Sequence, residues 1–250
     1  SSGGRLVQVL EDNGITHYTL PVHQKSIFAA WQCVKRVREI IVREKIDIVH
    51  CRSRVPDIIG YWAALKTPAR FIVTAHGCYS VNPFSRVVRL SRLLIVPGNQ
   101  AARYFIERFD VDPERIRVIP RGLDLREFSF NPSVDPLTQR HAIAFVGRIS
   151  PVKGIEYLID AMNDLIKKYP HLVCYIAGAP GKKHQAYKEY LESMVRRHGL
   201  SESVVFCGIR DTAELLDSVS VLVLPAVVPE TFGRVLIEAA AKGVPCVATD

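Results

Sequence analysis

No pair of cysteines in this chain has the Cys-x-x-Cys spacing of a zinc ribbon or a dithiol redox centre. The six cysteines, at positions 33, 51, 78, 174, 207 and 246, are scattered singly. Cys174, Cys207 and Cys246 fall in apolar runs that read as strands, where a free thiol behaves as a small hydrophobe. All six are expected to be reduced, in a cytosolic protein without a metal site. No apolar run reaches the roughly 18 residues that a membrane-crossing helix needs. No Gly-x-Gly-x-x-Gly is present, which argues against a nicotinamide-binding Rossmann domain. The loop GAPGKK lacks the four-residue spacer and the Ser or Thr of a phosphate-binding P-loop. There is no signal-peptide pattern, no short repeat and no low-complexity tract. The chain opens SSGGRLVQ, without a methionine, and is expected to be an internal piece of a longer protein.

Apolar sequence is ample and charge is uneven. With 250 residues, 48% of them hydrophobic, the chain can bury one large core or two smaller ones. The net charge of +8 sits wholly in residues 1–130, which hold 20 Lys and Arg against 12 Asp and Glu. Residues 131–250 hold 13 of each. A basic half suits an anionic membrane surface or an acidic acceptor; a generally basic, soluble surface is the plain alternative. No nucleic-acid partner is expected.

Short β-branched runs alternate with helical patterns along the chain. In the first half, helices are expected at 5–13, 26–45, 56–66 and 98–109, and strands at 16–20, 47–51, 70–75, 93–96 and 116–119. The 26–45 helix would bury Ile27, Trp31, Val34, Val37, Ile40 and Ile41 and expose Lys35, Arg36, Arg38 and Arg43. Residues 131–139, with two prolines, read as a linker. In the second half, strands are expected at 142–146, 172–177, 204–207, 221–224 and 244–248, with helices between. Such alternation requires right-handed crossovers and parallel sheets. The expected fold class is α/β, with two Rossmann-like, doubly wound parallel-sheet domains at 1–130 and 131–250.

Three stretches carry chemistry. The first is VSVLVLPAVVPETFGRVLIEAAAKGVPCVATD at the C-terminal end. A strand closes at Pro225, Thr231 can cap a helix, and Lys242-Gly243 end it. Glu230 would precede that helix and Glu238 would lie inside it. Eight helical residues rise about 12 Å, roughly the length of a sugar diphosphate joined to a ribose. The free N–H groups of Thr231, Phe232, Gly233, Arg234 and Val235 would form an anion site between the two acids. An ordinary amphipathic helix with an acid in its first turn gives the same spacing.

The second stretch is HAIAFVGRISPVKG, where a strand ends at Gly147, Arg148 follows, and Lys153-Gly154 open a helix. Ligands of open parallel sheets sit beyond the carboxyl ends of strands. Arg148 and Lys153 are two cations placed there to hold a diphosphate, or a solvated basic pair. The third is TAHGCYS, where His76 ends a strand and can titrate near neutral pH; a structural histidine is the alternative. His50, in DIVHCRSR, is a weaker candidate of the same kind.

Together GRISPVKGIEYLIDA, YIAGAP, VVFCGIR and PETFGRVLIEAAAKGVPCVATD, with its Glu-x7-Glu spacing, resemble the bacterial-type retaining glycosyltransferases of family 4, which have the GT-B fold. The resemblance implies that Arg148 and Lys153 bind the donor diphosphate and that Glu230 lies at the donor sugar hydroxyls. Phe232 to Val235 would offer amides, Glu238 would hold the ribose, and backbone near Ile209 and Arg210 would hold the base. His76 would lie near the reaction centre. Two departures stand out. The family's leading strand and glycine-rich loop are not found at the start, and the chain stops before the family's last elements. It is expected to be truncated at both ends.

The implied reaction moves a sugar, with retention, from a nucleoside-diphosphate sugar to a sugar or lipid-linked, lipopolysaccharide-like acceptor. No cofactor or metal is expected, because the two cations and the helix amides can stabilise the leaving group electrostatically. The implied location is the cytoplasm, peripheral to the inner face of the membrane. A nucleotide-sugar epimerase on the same fold and a non-catalytic binding module are the competing readings.

Overall fold

Every strand described here runs parallel to its neighbours. The computed structural model describes residues 3–4, 6–22, 27–131, 141–228 and 230–249. The chain divides into two compact units, Ser1–Pro120 and Arg121–Asp250. The division thus precedes residue 130, where the sequence placed it, because Leu123 and Phe128 pack into the second unit's core. The expected linker lies outside the described residues except for Asn131.

In unit 1, α1 (Val7–Asp12) is followed by α2 (Ile27–Arg43), β1 (Ile48–Cys51), α3 (Arg54–Ala64), β2 (Arg70–Thr74), a 3-10 turn (Ser85–Leu90), β3 (Leu93–Val96), α4 (Asn99–Phe109) and β4 (Ile116–Val118). The sheet order is β1-β2-β3-β4. Right-handed crossovers that always step the same way place their helices on one face. That face carries the core, where Phe71, Val73, Leu94, Val96 and Ile116 meet Phe105 and Phe109 of α4. In turn α2 packs on α3, through Cys33 against Ile59 and Leu20.

Two expectations fail here. Residues 16–20 are not a strand: Leu20 is buried against α2, but no described strand lies beside the segment to complete a ladder. Trp31 is not buried but 64% exposed. The buried seam of α2 runs through Ala29, Cys33 and Ile41, with Val37 and Ile40 half-buried beside it. Trp31 stands two residues from that seam, about 200° around the helix. The expected basic face is also depleted. Arg38 donates to the carbonyls of Trp62 and Ala63 at the end of α3, and Arg43 pairs with Glu44 at 2.8 Å.

Unit 2 contains β5 (Ala142–Val146), α5 (Ile155–Lys168), β6 (Val173–Ala177), α6 (Gln185–Arg197), β7 (Val204–Gly208), α7 (Thr212–Asp217), β8 (Val221–Leu224), α8 (Arg234–Ala241) and β9 (Cys246–Ala248). The order β7-β6-β5-β8-β9 reverses direction between β5 and β8. Helices α5 and α6 therefore cover one face, with Phe145, Ile155, Ile159, Met162, Ile176 and Leu191 fully buried. Helices α7 and α8 cover the other, where Leu216 and Ala239 meet Ala144 and Leu222. Alternation along β5 feeds both cores: Ala142 and Ala144 on one side, Phe145 on the other. All six cysteines are free thiols.

Candidate active site

The reversal between β5 and β8 opens a crevice at the carboxyl ends of those strands, and the chemistry-bearing loops of unit 2 meet there. Beyond β5 the ladder continues: Gly147 N–H donates to Ala177 O at 3.0 Å and Ile149 N–H to Ala179 O at 3.1 Å. A 3-10 turn, Pro151–Lys153, follows, and Gly154 caps α5 with φ 61°. A Cβ at Gly154 would run into the carbonyl oxygen of Pro225, so the turn presses directly on the end of β8. Val227 N–H donates to Val152 O at 3.1 Å. These contacts bring Lys153 and Glu230, 77 residues apart in sequence, into an ion pair. Their side chains are 17% and 30% exposed. Burial and the nearby Arg148 guanidinium push the Lys153 pKa down. The Glu230 carboxylate opposes that shift by favouring the charged amine.

The helix after β8 starts later than expected. Gly233 adopts the left-handed conformation, φ 68°, and caps α8, whose first residue is Arg234. Thr231 and Phe232 lie in the turn before it, so Thr231 is not the cap. The chain must reverse through Gly233 before helical geometry can begin, so no eight-residue helical spacer joins Glu230 to Glu238. Glu238 instead sits on α8 beside Arg234, whose Nε contacts Oε1 at 2.6 Å. It is 7% exposed. Burial raises its pKa, Arg234 lowers it, and Glu127 raises it again. Val235 packs into both cores of the unit. Arg148 and Arg210, with Gly147, Ala177, Gly178 and Ile209, line a hollow of about 280 Å³ at the ends of β5, β6 and β7. The structure thus brings together Arg148, Lys153 and Glu230, and sets Arg210 across the hollow from β5. Glu238 does not share their ion pair.

A family model described as Glycosyltransferase Family 4 matches residues 3–127, half of the chain, and one described as Glycosyl transferases group 1 matches residues 140–250. The chain belongs to glycosyltransferase family 4. Among curated relatives, the D-inositol 3-phosphate glycosyltransferase of Corynebacterium kroppenstedtii is 32% identical over 171 residues, 62% of this chain and 37% of that protein. The enzyme of the same name from Mycobacterium marinum is 28% identical over 94% of this chain and 54% of that protein. This family 4 chain therefore spans about half the length of such relatives or less. A crystal structure of a glycosyltransferase from Rickettsia africae superposes with TM-score 0.85 and 25% identity, over 100% of this chain and 70% of that one. Anabaena HepE in complex with UDP and glucose shares the fold, with TM-score 0.78 and 23% identity over 98% of this chain and 70% of that one. Two parallel-sheet α/β units with GT-B neighbours are the architecture expected of the family.

In unit 1 of this family 4 chain, His76 lies just past β2, on the loop the sequence singled out. Its Nε2 accepts a hydrogen bond from Arg52 Nε at 2.9 Å, which puts the neutral ring's proton on Nδ1. His50 Nε2 lies 2.7 Å from Thr74 Oγ1; burial, then the Arg52 charge, lower its pKa. Sequence reading passed over Arg52 and Arg54. The available signal was the one used for Arg148: cations just beyond a strand's carboxyl end. It also passed over an Asp-x-Asp spacing at Asp110 and Asp112. These carboxylates pair with Arg89 at 2.8 Å and Arg115 at 3.6 Å. No cluster of three or more metal-ligating side chains occurs among the described residues.

Proposed function

We propose that this chain carries the donor-binding unit and the acceptor-side unit of a retaining glycosyltransferase that uses a nucleoside-diphosphate sugar. The observation that supports it is the meeting of Arg148, Lys153 and Glu230 at the switch point of the unit 2 sheet. In the ligand-free site, Glu230 neutralises Lys153. A diphosphate that displaces this carboxylate takes Lys153 and Arg148 as its counter-charges and frees Glu230 to accept from sugar hydroxyls. As the sugar leaves, charge builds on the diphosphate, and fixed cations and the amides around Gly233 stabilise it without reorganising. The acceptor oxygen attacks the anomeric carbon from the face that the diphosphate leaves, and its proton passes to the departing phosphate oxygen. No metal is needed in this scheme, and activity should survive a chelator. Arg210 and the backbone beside it would border the base, and Glu238 the ribose. That last role requires Glu238 to exchange its contact with Arg234 for a ribose hydroxyl.

The test is calorimetry with uridine, guanosine and adenosine diphosphates and their sugars. Uridine comes first because HepE was solved with UDP and with UDP-glucose. Product analysis with and without an acceptor separates transfer from epimerisation. Absence of binding by any of the three diphosphates would overturn the reading.

The acceptor side lies in unit 1, with His76 at its centre. A sugar or lipid-linked acceptor, at the cytoplasmic face of a membrane, fits the basic charge of that unit. With Arg38 and Arg43 engaged, Lys35 and Arg36 remain on α2, beside exposed Phe28 and Trp31. Sedimentation with anionic but not neutral vesicles, lost at high salt, is the expected result.

A further inference from the structure

We propose that Arg54 and Asp57, both on the first turn of α3, form a proton-controlled latch on the loop that follows β2. With Asp57 protonated, Arg54 holds the loop through Tyr79 and Ser80. With Asp57 ionised, Arg54 turns back to the carboxylate and the loop is released. The latch does not depend on what unit 1 binds.

The loop runs from the carboxyl end of β2 to the 3-10 turn and includes His76, Tyr79 and Ser80. Its middle is held from two helices. Arg54, exposed at the start of α3, donates from Nη1 to Ser80 Oγ at 2.7 Å. The same guanidinium lies 5.9 Å from the centroid of the Tyr79 ring. From α4, the Tyr104 hydroxyl donates to the Tyr79 carbonyl at 2.5 Å, and Phe105 meets the Tyr79 ring edge-on.

Tyr79 also reaches Asp57. Asp57 is fully buried, and neither carboxylate oxygen has a hydrogen-bond partner; nor has the Tyr79 hydroxyl beside it. An ionised carboxylate there would be a buried charge without compensation. A protonated one is neutral and can share its proton with the Tyr79 hydroxyl after a small rotation. Burial accordingly pushes the carboxyl up to about 7, with Tyr79 and the Ser53 backbone opposing. The carboxyl edge of the unit 1 sheet therefore has two forms, a held loop in acid and a released one above neutral pH.

The elements packed on α3 supply Asp57 with no other counter-charge among the described residues. From β1 comes the Cys51 thiol, which burial, then Asp57, keep protonated. The Tyr79 phenol is kept neutral by burial, then by Asp57. The 3-10 turn brings Ser85, buried and without a partner; its Arg86 is exposed and its Arg89 pairs with Asp110. From β2 come the apolar Phe71 and Val73. On α2, Arg38 is engaged by the carbonyls of Trp62 and Ala63. Arg54 stands three residues before Asp57 on the same helix, a spacing that brings Cβ atoms within about 5–6 Å. It has no carboxylate within ion-pair distance among the described residues. Once the Tyr79 ring gives way, the α3 N-terminus and an ion pair with Arg54 both favour the ionised form.

The test follows the Asp57 carboxyl carbon and the backbone amide at position 80 by NMR in the 250-residue chain. Asp57 should titrate above about pH 5, well over the ordinary value near 4. The Ser80 amide should move with the same midpoint. In Asp57→Asn that amide should keep its low-pH position throughout. In Arg54→Ala, Asp57 should still titrate but the Ser80 amide should no longer follow it. Ser80→Ala removes a contact made only in the held form, so it should lower the Asp57 midpoint by about half a pH unit or more. A serine with no part in a latch would leave that midpoint in place. Urea midpoints check that each variant folds; Ser80 is exposed, so Ser80→Ala decides the matter even if Asp57→Asn does not fold. A Ser80 amide that ignores the Asp57 titration overturns the latch, as does an Asp57 midpoint unmoved by Ser80→Ala. An excursion of that amide that survives Asp57→Asn belongs to another group, such as His76, and overturns it too.

Discussion

Replacing Asp57 by asparagine should remove a pH dependence of unit 1 and stabilise it above neutral pH. Asp57 lies in the first turn of α3, is 0% exposed, and faces the Tyr79 hydroxyl without a hydrogen bond of normal geometry on either side. Burial dominates, and its carboxyl is pushed up to about 7, with Tyr79 and the Ser53 backbone opposing. The folded pKa exceeds the unfolded one, so the folded chain binds the proton more tightly. Its contribution is complete below the unfolded value near 4 and is lost as pH rises to about 7. Each pH unit between the two values is worth about 1.4 kcal/mol. Across about three of them the loss approaches 4 kcal/mol, a large part of the roughly 5–15 kcal/mol that holds a domain together.

Asparagine keeps the shape and cannot ionise, but its amide brings donors that cost about 1–3 kcal/mol if unmet. The variant should therefore be no more stable than wild type at pH 5 and about 1–3 kcal/mol more stable at pH 8. Urea unfolding followed on the methyl resonances of Val73 and Val96, fully buried in this unit, measures the difference at both values. A wild-type minus variant difference that stays constant from pH 5 to 8, or that moves toward wild type as pH rises, would refute the burial argument.

Three further outcomes are expected. Lys153→Ala should weaken nucleoside diphosphate and nucleotide-sugar binding alike by about 1.5–3 kcal/mol, the worth of a charge-assisted contact, whereas Glu230→Ala should cost only the sugar's share; calorimetry with both ligands separates the two roles. Gly154→Ala places a side chain against the Pro225 carbonyl at a left-handed position, and should cost about 1–3 kcal/mol in urea unfolding while also lowering diphosphate affinity through Lys153. Arg38→Ala frees the last carbonyls of α3, and should lower unit 1 stability by about 1 kcal/mol without changing diphosphate binding to unit 2.

Much of the fold was legible because strand and helix periods survive in the sequence. The runs at 93–96, 142–146 and 221–224 became strands at those residues, since each is apolar, β-branched and closed by a turn residue. Errors arose where a partner decides. Residues 16–20 have the composition of a strand, but a ladder needs a neighbour. Trp31 has the character of a core residue, but the seam passes on the other side of α2. Thr231 has the chemistry of a cap, but the turn at Gly233 sets the start of α8. Asp57 gave no sign that it is buried, because an acid in a first helical turn is ordinary.

The sequence by itself determined the α/β alternation, the parallel sheets and the strand-end positions of Arg148, Lys153, Glu230 and His76. All of these follow from local periodicity and from turn chemistry. Tertiary structure alone decided the pairing of Lys153 with Glu230 and the opposition of Arg52 and His76. Those contacts join residues up to 77 positions apart, and depend on which strands become neighbours. Strand order is set by burial of whole faces and by crossover handedness, which no local stretch of sequence encodes.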